Sequence, residues 1–310
     1  MAMEEQQCRI EPENAGRADL VVRTLTGRSR ADVRGLFAHA CVSVNGAACH
    51  EAGALLQAGD VVSIRHDPHR RYHAPPPERS NSAFEMVFED EVLLIVNKAA
   101  HLLTVPTERH ENNTLLDAVS RYLRRKNSRA RPGVVHRLDR GTSGLLAFGK
   151  TEAIAKELQQ QFRLQKAERE YVAIVAGIVT DDVGTFASRI GTTRSLQRRV
   201  VHGDDEGQDA VTHYRVIERL RDTTVVRAVL ETGRRNQIRV HFANAGHPVL
   251  GDERYEPEQA RHRYWKARRL ALHASLLGFI HPRTGAPLRF ESPWPDEINR
   301  FCAGGRRHRG

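Results

Sequence analysis

Several features of a 310-residue chain are scarce here, and each scarcity removes a class of function. The four cysteines are Cys8, Cys41, Cys49 and Cys302, and no two stand in Cys-x-x-Cys spacing. There is no zinc ribbon or dithiol redox pair to read. Aromatic residues make up 6% of the chain, too few for the serial stacking platforms of proteins that coat single strands. No apolar run approaches the roughly 20 residues that a membrane-spanning helix needs. The opening MAMEEQQCRIEPEN is acidic and polar, with no apolar signal core. A soluble, cytoplasmic protein without membrane contact is expected. Walker A, Rossmann and His-Glu-x-x-His patterns are missing. Gly141-Thr142-Ser143-Gly144 is not the Gly-x-Ser-x-Gly of an acyl-transfer enzyme. No metal and no cofactor is expected.

Positive charge is what the chain has in excess. Lysine and arginine number 48 against 38 acidic residues, a formal charge of +10. Such a surface favours a polyanionic partner. At 40% hydrophobic residues, the chain can bury one large core and a smaller one.

Residues 1–15 read as a polar tail. Ser29, followed three residues on by Asp32, is a helix-start signature, and Val33, Leu36 and Phe37 share one helical face. Val42 and Val44 alternate with polar residues ahead of Asn45-Gly46, a strong hairpin turn. Residues 16–67 thus form a small helix-and-hairpin unit. Arg30 and Arg34, on its helix, are candidate phosphate contacts. The run HDPHRRYHAPPPERS is basic, and its three consecutive prolines favour a stiff spacer. It places a linker over 68–82, a larger domain over 83–302 and a basic tail over 303–310. In the larger domain, residues 92–96, 145–148, 171–177 and 225–230 read as strands, and 114–123 and 152–164 as helices. Strands outnumber helices and are joined mostly by loops. A mixed, largely antiparallel α+β core is expected, not a doubly wound one.

Two runs carry chemistry. VVHRLDRGTSGLLAFGK, residues 134–150, sets Asp139 between Arg137 and Arg140 at the edge of apolar segments. An aspartate near arginines is most often a structural ion pair. Catalysis also requires a pocket and an exposed oxygen, and a paired arginine lowers the cost of desolvating the carboxylate. A nucleophilic carboxylate is chemically reasonable in that setting. His136 reads either as a general base or as a buried, hydrogen-bonded histidine. In ETGRRNQIRVHFANAG, residues 231–246, a strand hands over to a short helix. Ile238 and Phe242 should face the core, Ala245 should complete that stripe, and Gly246 should end the helix. Arg235 and Arg239 fall on another face, with Asn236 beside Arg239. The start of this helix suits a phosphate or a carboxylate.

These residues resemble a known family. HRLDRGTSGLL, residues 136–146, is similar to the signature of the RluA-type RNA pseudouridine synthases. The likeness continues through Tyr171, at the family's Lys-x-Tyr position but preceded here by Glu168-Arg169-Glu170. It extends through TGRRNQIRVH, GHPVLGD, LHA, HPRTG and FESP, in that order, so that it covers residues 84–300. Residues 16–67 resemble, on fewer features, an S4-type RNA-binding domain.

The resemblance implies a cofactor-free, monomeric enzyme that isomerises uridine to pseudouridine in structured RNA. Large-subunit ribosomal RNA is favoured and transfer RNA is second. It implies Asp139 as nucleophile, Tyr171 against the target base and Arg239 paired with Asp139. Arg137, Arg140, Arg234, Arg235 and Asn236 would meet RNA. The family commonly has histidine where Asn236 stands. Ala99 and His101 replace the proline and glycine of its Asn-Lys-Pro-x-Gly-Leu loop, which predicts a loop of altered shape. One rival reading is a non-catalytic RNA-binding or ribosome-assembly protein on the same fold. It has no use for an intact set of Asp139, Tyr171 and Arg239. Another, a nucleic-acid hydrolase, calls for a carboxylate cluster or a histidine-centred site, and neither spacing is present.

Overall fold

A computed structural model describes residues 3–49, 52–68, 72, 83–107, 111–127, 129–193, 197–203 and 205–307. The chain divides into two compact units, Met1–Ser80 and Asn81–Gly310.

The first unit contains β1 (Glu4–Arg9), β2 (Gly16–Arg17), α1 (Ala18–Thr26), α2 (Arg30–Ala38), β3 (Val42–Val44), β4 (Ala47–Ala48), β5 (Leu55–Leu56) and β6 (Val61–His66). Its main sheet runs β1-β6-β3-β4, antiparallel throughout. Ser29 caps α2 by accepting the Asp32 N–H at 3.2 Å. Asn45 and Gly46 both take positive φ, 51° and 80°, as the tight turn between β3 and β4 demands. Val22, Leu36, Phe37, Val62 and Ile64 form the core.

Residues 1–15 are not simply a tail. Glu4–Arg9 is an edge strand whose backbone pairs in register with β6. Its polar side chains hid it, because an edge strand is held by ladder hydrogen bonds more than by an apolar face. Most of the linker expected over 68–82 lies outside the described residues, as do the side chains of Arg30 and Arg34.

The second unit contains β7 (Phe84–Glu89), β8 (Leu93–Lys98), α3 (Leu115–Lys126), β9 (Gly133–Val134), β10 (Ser143–Gly149), α4 (Glu152–Arg163), β11 (Glu168–Ala176), β12 (Val183–Thr192), β13 (Arg198–Val201), β14 (Gln208–Arg219) and β15 (Thr223–Leu230). It continues through α5 (Gln237–Asn244), α6 (Pro257–Ala260), β16 (Leu272–Ile280), β17 (Pro287–Glu291) and α7 (Asp296–Arg307). One large sheet follows the order β13-β12-β14-β15-β11-β16-β10-β8-β7, with β17 beside β16 and β9 beside β10. Among its named pairs only β10 and β16 run parallel. This is a mixed, largely antiparallel α+β core, as the loop-joined strands predicted.

Leu94, Val96, Leu146, Phe148, Val172, Ile174, Val226 and Phe242 are all buried in the principal core. Thr114 and Asp117 make a reciprocal capping box that starts α3. Gly144 lies at φ +118°, where a Cβ would collide with the Ala274 backbone; that close approach seats the start of β10 against β16. The basic segment expected over 303–310 is helical as far as Arg307, and Arg306 pairs with Glu218 at 2.8 Å.

Candidate active site

Asp139 lies in the loop between β9 and β10. Leu138 before it is buried, and Thr104 pins its backbone at both ends. The Leu138 N–H donates to Thr104 Oγ1 at 3.1 Å, and the hydroxyl donates to the Leu138 carbonyl at 2.9 Å. The aspartate thereby follows a fixed point, and its side chain lines a cleft of about 760 Å³.

Neither neighbouring arginine is its partner. Arg137 is exposed on the cleft wall, whereas Arg140 is outside the cleft with its Nε donating to the His101 carbonyl at 3.2 Å. The partner is Arg239, 100 residues on, whose Nη1 donates to Asp139 Oδ2 at 3.0 Å.

Local chemistry explains how Arg239 arrives there. After β15 the Gln237 side chain closes the turn into α5. Its Oε1 accepts from the Arg234 N–H at 2.9 Å and from Thr232 Oγ1 at 2.8 Å. Its Nε2 donates to the Val211 carbonyl and to Thr212 Oγ1, both at 2.9 Å. Ile238 and Phe242 are buried, each burial favourable by about 1.5–3 kcal/mol, so α5 is clamped to the sheet with Arg239 turned to the cleft. Ala245 is exposed and does not complete the stripe; Ala243 packs with Val240 on a different face. The helix begins only at Gln237, after Asn236 in a left-handed conformation at φ 60°. Arg235 therefore precedes the helix and does not share a helical face with Arg239.

A second carboxylate fixes the guanidinium. Asp252 accepts from Arg239 Nε at 2.6 Å and from Nη2 at 2.8 Å. Side-chain exposure is 0% at Asp252, 12% at Arg239 and 23% at Asp139, so only Asp139 retains appreciable access to solvent. Burial alone would lower the arginine pKa. Its hydrogen bonds to Asp252, followed by the charge of Asp139, more than offset this and hold the pKa above its ordinary value. The guanidinium also lies 4.9 Å from the ring centroid of Tyr255.

Asn236, expected to meet RNA, is buried beside Asp139. Its amide orientation follows from its neighbours. With nitrogen toward Asp139, Nδ2 donates to Oδ1 at 2.9 Å and Oδ2 at 3.0 Å, while its oxygen accepts from the Tyr255 hydroxyl at 2.9 Å.

Tyr171 is buried on β11 and faces the same cleft. Its strand pairs Tyr171 with Ala228 on one side and Ala274 on the other, with a register slip between Glu170 and Tyr171. Burial pushes the phenol pKa up to about 12, opposed by Arg169 and assisted by Asp139. Arg169 lies two residues back on β11, lines the cleft and places its guanidinium 5.5 Å from the Phe162 ring. Arg163, Arg234 and Arg235 also line this cleft.

The alternative catalytic groups have other partners. His136 stacks on Phe162 at 4.7 Å and accepts the Ala147 N–H at 3.2 Å. Although part of its ring borders the cleft, burial and then Arg169 push its pKa down to about 3. Ser143 is locked to His273 at 2.8 Å and Arg269 at 2.6 Å. Lys98 donates to the carbonyls of Ala99 at 2.9 Å and Leu102 at 2.8 Å. Burial, then Arg269, lower its pKa to about 7, with Asp139 opposing. This buried amine ties the loop in which His101 takes a positive φ of 66° where the family has glycine.

The sequence reading gave no role to Thr104, Arg169, Asp252 or Tyr255. For Asp252 one signal was present, the Gly-Asp that closes an apolar run. Gly251 has φ +75°, and a Cβ there would collide with the Arg269 carbonyl, so the turn that buries Asp252 depends on glycine.

Comparisons with known proteins give the family. Residues 92–244 match the family model described as RNA pseudouridylate synthase. The chain is 35% identical over 278 residues to the RNA pseudouridine synthase YlyB of Bacillus subtilis, covering 87% of each. It is also 35% identical over 283 residues to the ribosomal large subunit pseudouridine synthase D of Zymomonas mobilis, covering 88% of each. Against the protein of that name from Pseudomonas aeruginosa, identity is 39% over 223 residues and 69% of each chain. Among solved structures, human RNA pseudouridylate synthase domain containing 4 shares the fold, with a TM-score of 0.60 at 22% identity, over 71% of this chain and 92% of that one. The protein belongs to the RluA-type RNA pseudouridine synthases, enzymes that bind RNA and isomerise uridine to pseudouridine within it.

Proposed function

We propose that Asp139 is the nucleophilic carboxylate of this isomerase and that its substrate is large-subunit ribosomal RNA. The observation that carries the site reading is the position of Asp139: it is the partly exposed end of a buried Asp252–Arg239–Asp139 chain, on the wall of a cleft lined with arginines. A duplex would bury the target atom, so the uridine must leave its stack to reach the carboxylate. Arg137, Arg234 and Arg235 then contact the phosphates that flank the extruded nucleotide. Tyr171 packs against the uracil ring.

The reaction needs no net change of atoms. The N1–C1′ bond breaks, uracil turns, C5 bonds to C1′, the proton on C5 leaves and N1 gains one. Asp139 acts at the sugar, and Arg239 and Asn236 hold its carboxylate aimed through the rearrangement. With a pKa near 12, Tyr171 enters as a neutral phenol.

The names of the Zymomonas mobilis and Pseudomonas aeruginosa relatives support the ribosomal target. The S4-like reading of residues 16–67 supports a structured RNA and assigns the first unit to affinity. The enzyme acts as a monomer. Pseudouridine mapping of ribosomal and transfer RNA, from cells with and without the gene, tests the substrate. Loss of one or more large-subunit sites is expected. Loss confined to transfer RNA overturns the ribosomal assignment.

A further inference from the structure

We infer that the turn carrying Asp252 and Tyr255 is the positioning element for Asp139, acting along two separate arms. The inference rests on the reading of Asp139 as nucleophile.

The first arm runs through Arg239. Asp252 takes the Nε and Nη2 edge of the guanidinium at 2.6 and 2.8 Å, which leaves Nη1 to meet Asp139 at 3.0 Å. A planar guanidinium gripped along one edge cannot pivot, so the direction of its remaining N–H is fixed. The second arm runs through Asn236. The Tyr255 hydroxyl donates to the Asn236 oxygen at 2.9 Å, and this turns the amide nitrogen onto both oxygens of Asp139. An asparagine offers that donation at any pH, because its amide does not titrate.

Both arms start from one rigid point. Asp252 Oδ1 accepts the backbone N–H groups of Arg254 at 2.9 Å and Tyr255 at 3.1 Å. Neither Asp252 nor Tyr255 lines the cleft. Both act through another side chain and are positioning residues. The carboxylate is thereby held by a turn more than a hundred positions away in sequence that does not itself line the cleft. A residue pair with only a structural role would lower the melting temperature and leave the chemical step alone.

The test measures kcat and KM separately by tritium release from RNA labelled at C5 of uridine, using the full chain, with melting curves alongside. Asp252→Asn keeps an acceptor for the backbone N–H groups but removes the charge that grips Arg239. It is expected to lower kcat by about 30-fold or more, with KM changed by less than about threefold, as for loss of a preorganised contact. In the Arg239→Ala background the same change should cost nothing further, since residues acting as one unit are not additive. Tyr255→Phe should lower kcat by about 5- to 10-fold, and have no added effect in an Asn236→Ala background. Normal kcat in either single variant, or effects that multiply in the paired variants, overturns the inference. If Asp252→Asn does not fold, the Tyr255 and Asn236 cycle decides alone. Normal turnover by Asp139→Asn would instead remove the reading on which this inference rests.

Discussion

Asp139 and Asp252 hold the same guanidinium from different sides, at 3.0 Å and at 2.6 and 2.8 Å. One carboxylate is fully buried and the other is partly open to the cleft. A reactive carboxylate needs such access, and the buried partner keeps the guanidinium in place beside it. On the proposed reading the two aspartates divide the work: Asp252 anchors the guanidinium, and Asp139 is the carboxylate left to react.

Arg239→Ala is expected to reduce kcat by about 100-fold or more, the scale for removing a preorganised electrostatic contact. Arg239→Lys should also fail, by about tenfold at least, because an ammonium is a point charge and cannot span two carboxylates as a planar fork does. Steady-state rates on saturating RNA check both. A lysine variant with full activity would mean that charge alone suffices and the fork geometry is irrelevant.

Tyr171→Phe separates ring from hydroxyl. The ring packing stays, so RNA affinity should change less than about twofold, while kcat drops by about tenfold or more if the phenol takes part in proton transfer. Because burial pushes its pKa up to about 12, no limb of the pH–rate profile between pH 6 and about 10 should vanish in this variant. Disappearance of such a limb would show that Tyr171 titrates in the working range.

Acid should destabilise the larger unit through its buried histidines. Burial pushes His241 from the usual 6.5 down to about 4, and burial with Arg269 does the same to His273. Both folded-state values are depressed, so the unfolded chain takes up protons that the folded one refuses. Stability is full above about pH 6.5 and is lost as the pH falls toward 4, by on the order of 3 kcal/mol for each group. Melting temperature measured at constant ionic strength should fall across that window, and His273→Gln should flatten the fall. An unchanged slope in the variant would contradict the assignment.

The cleft arginines should differ from Arg140. Replacing Arg137, Arg234 or Arg235 with alanine is expected to weaken RNA binding and to reduce the slope of log affinity against log salt by about one each. Arg140, which lies outside the cleft and donates to the His101 carbonyl, should leave the slope unchanged. Filter-binding titrations across a salt series distinguish the two groups. Equal slopes for all four variants would move the RNA path away from this cleft.

Much of the site was legible in local pattern. The apolar runs around Asp139 and the Ile238–Phe242 spacing place a loop and a helix, and family likeness joins them across 100 residues. What escaped notice depends on contacts that local pattern does not encode. Asp252 looks like any turn aspartate until the backbone folds it, through a left-handed Gly251, onto an arginine 13 residues before it. Asn236 reads as an RNA contact beside Arg239, but its left-handed backbone and the Tyr255 hydroxyl turn its amide onto Asp139. The strand Glu4–Arg9 escaped for another reason: its stability lies in backbone pairing with β6, to which side-chain periodicity is blind.

The most direct measurement is tritium release from C5-labelled uridine in RNA by Asp139→Asn, with RNA binding and thermal melting recorded on the same preparation. Asparagine keeps the size of the side chain and can still accept from Arg239 Nη1, so the variant should fold and bind RNA. Without a carboxylate it should release no detectable tritium and form no pseudouridine. Near-normal release would contradict the assignment of Asp139 as nucleophile, and loss of activity accompanied by loss of folding would return it to a structural ion pair.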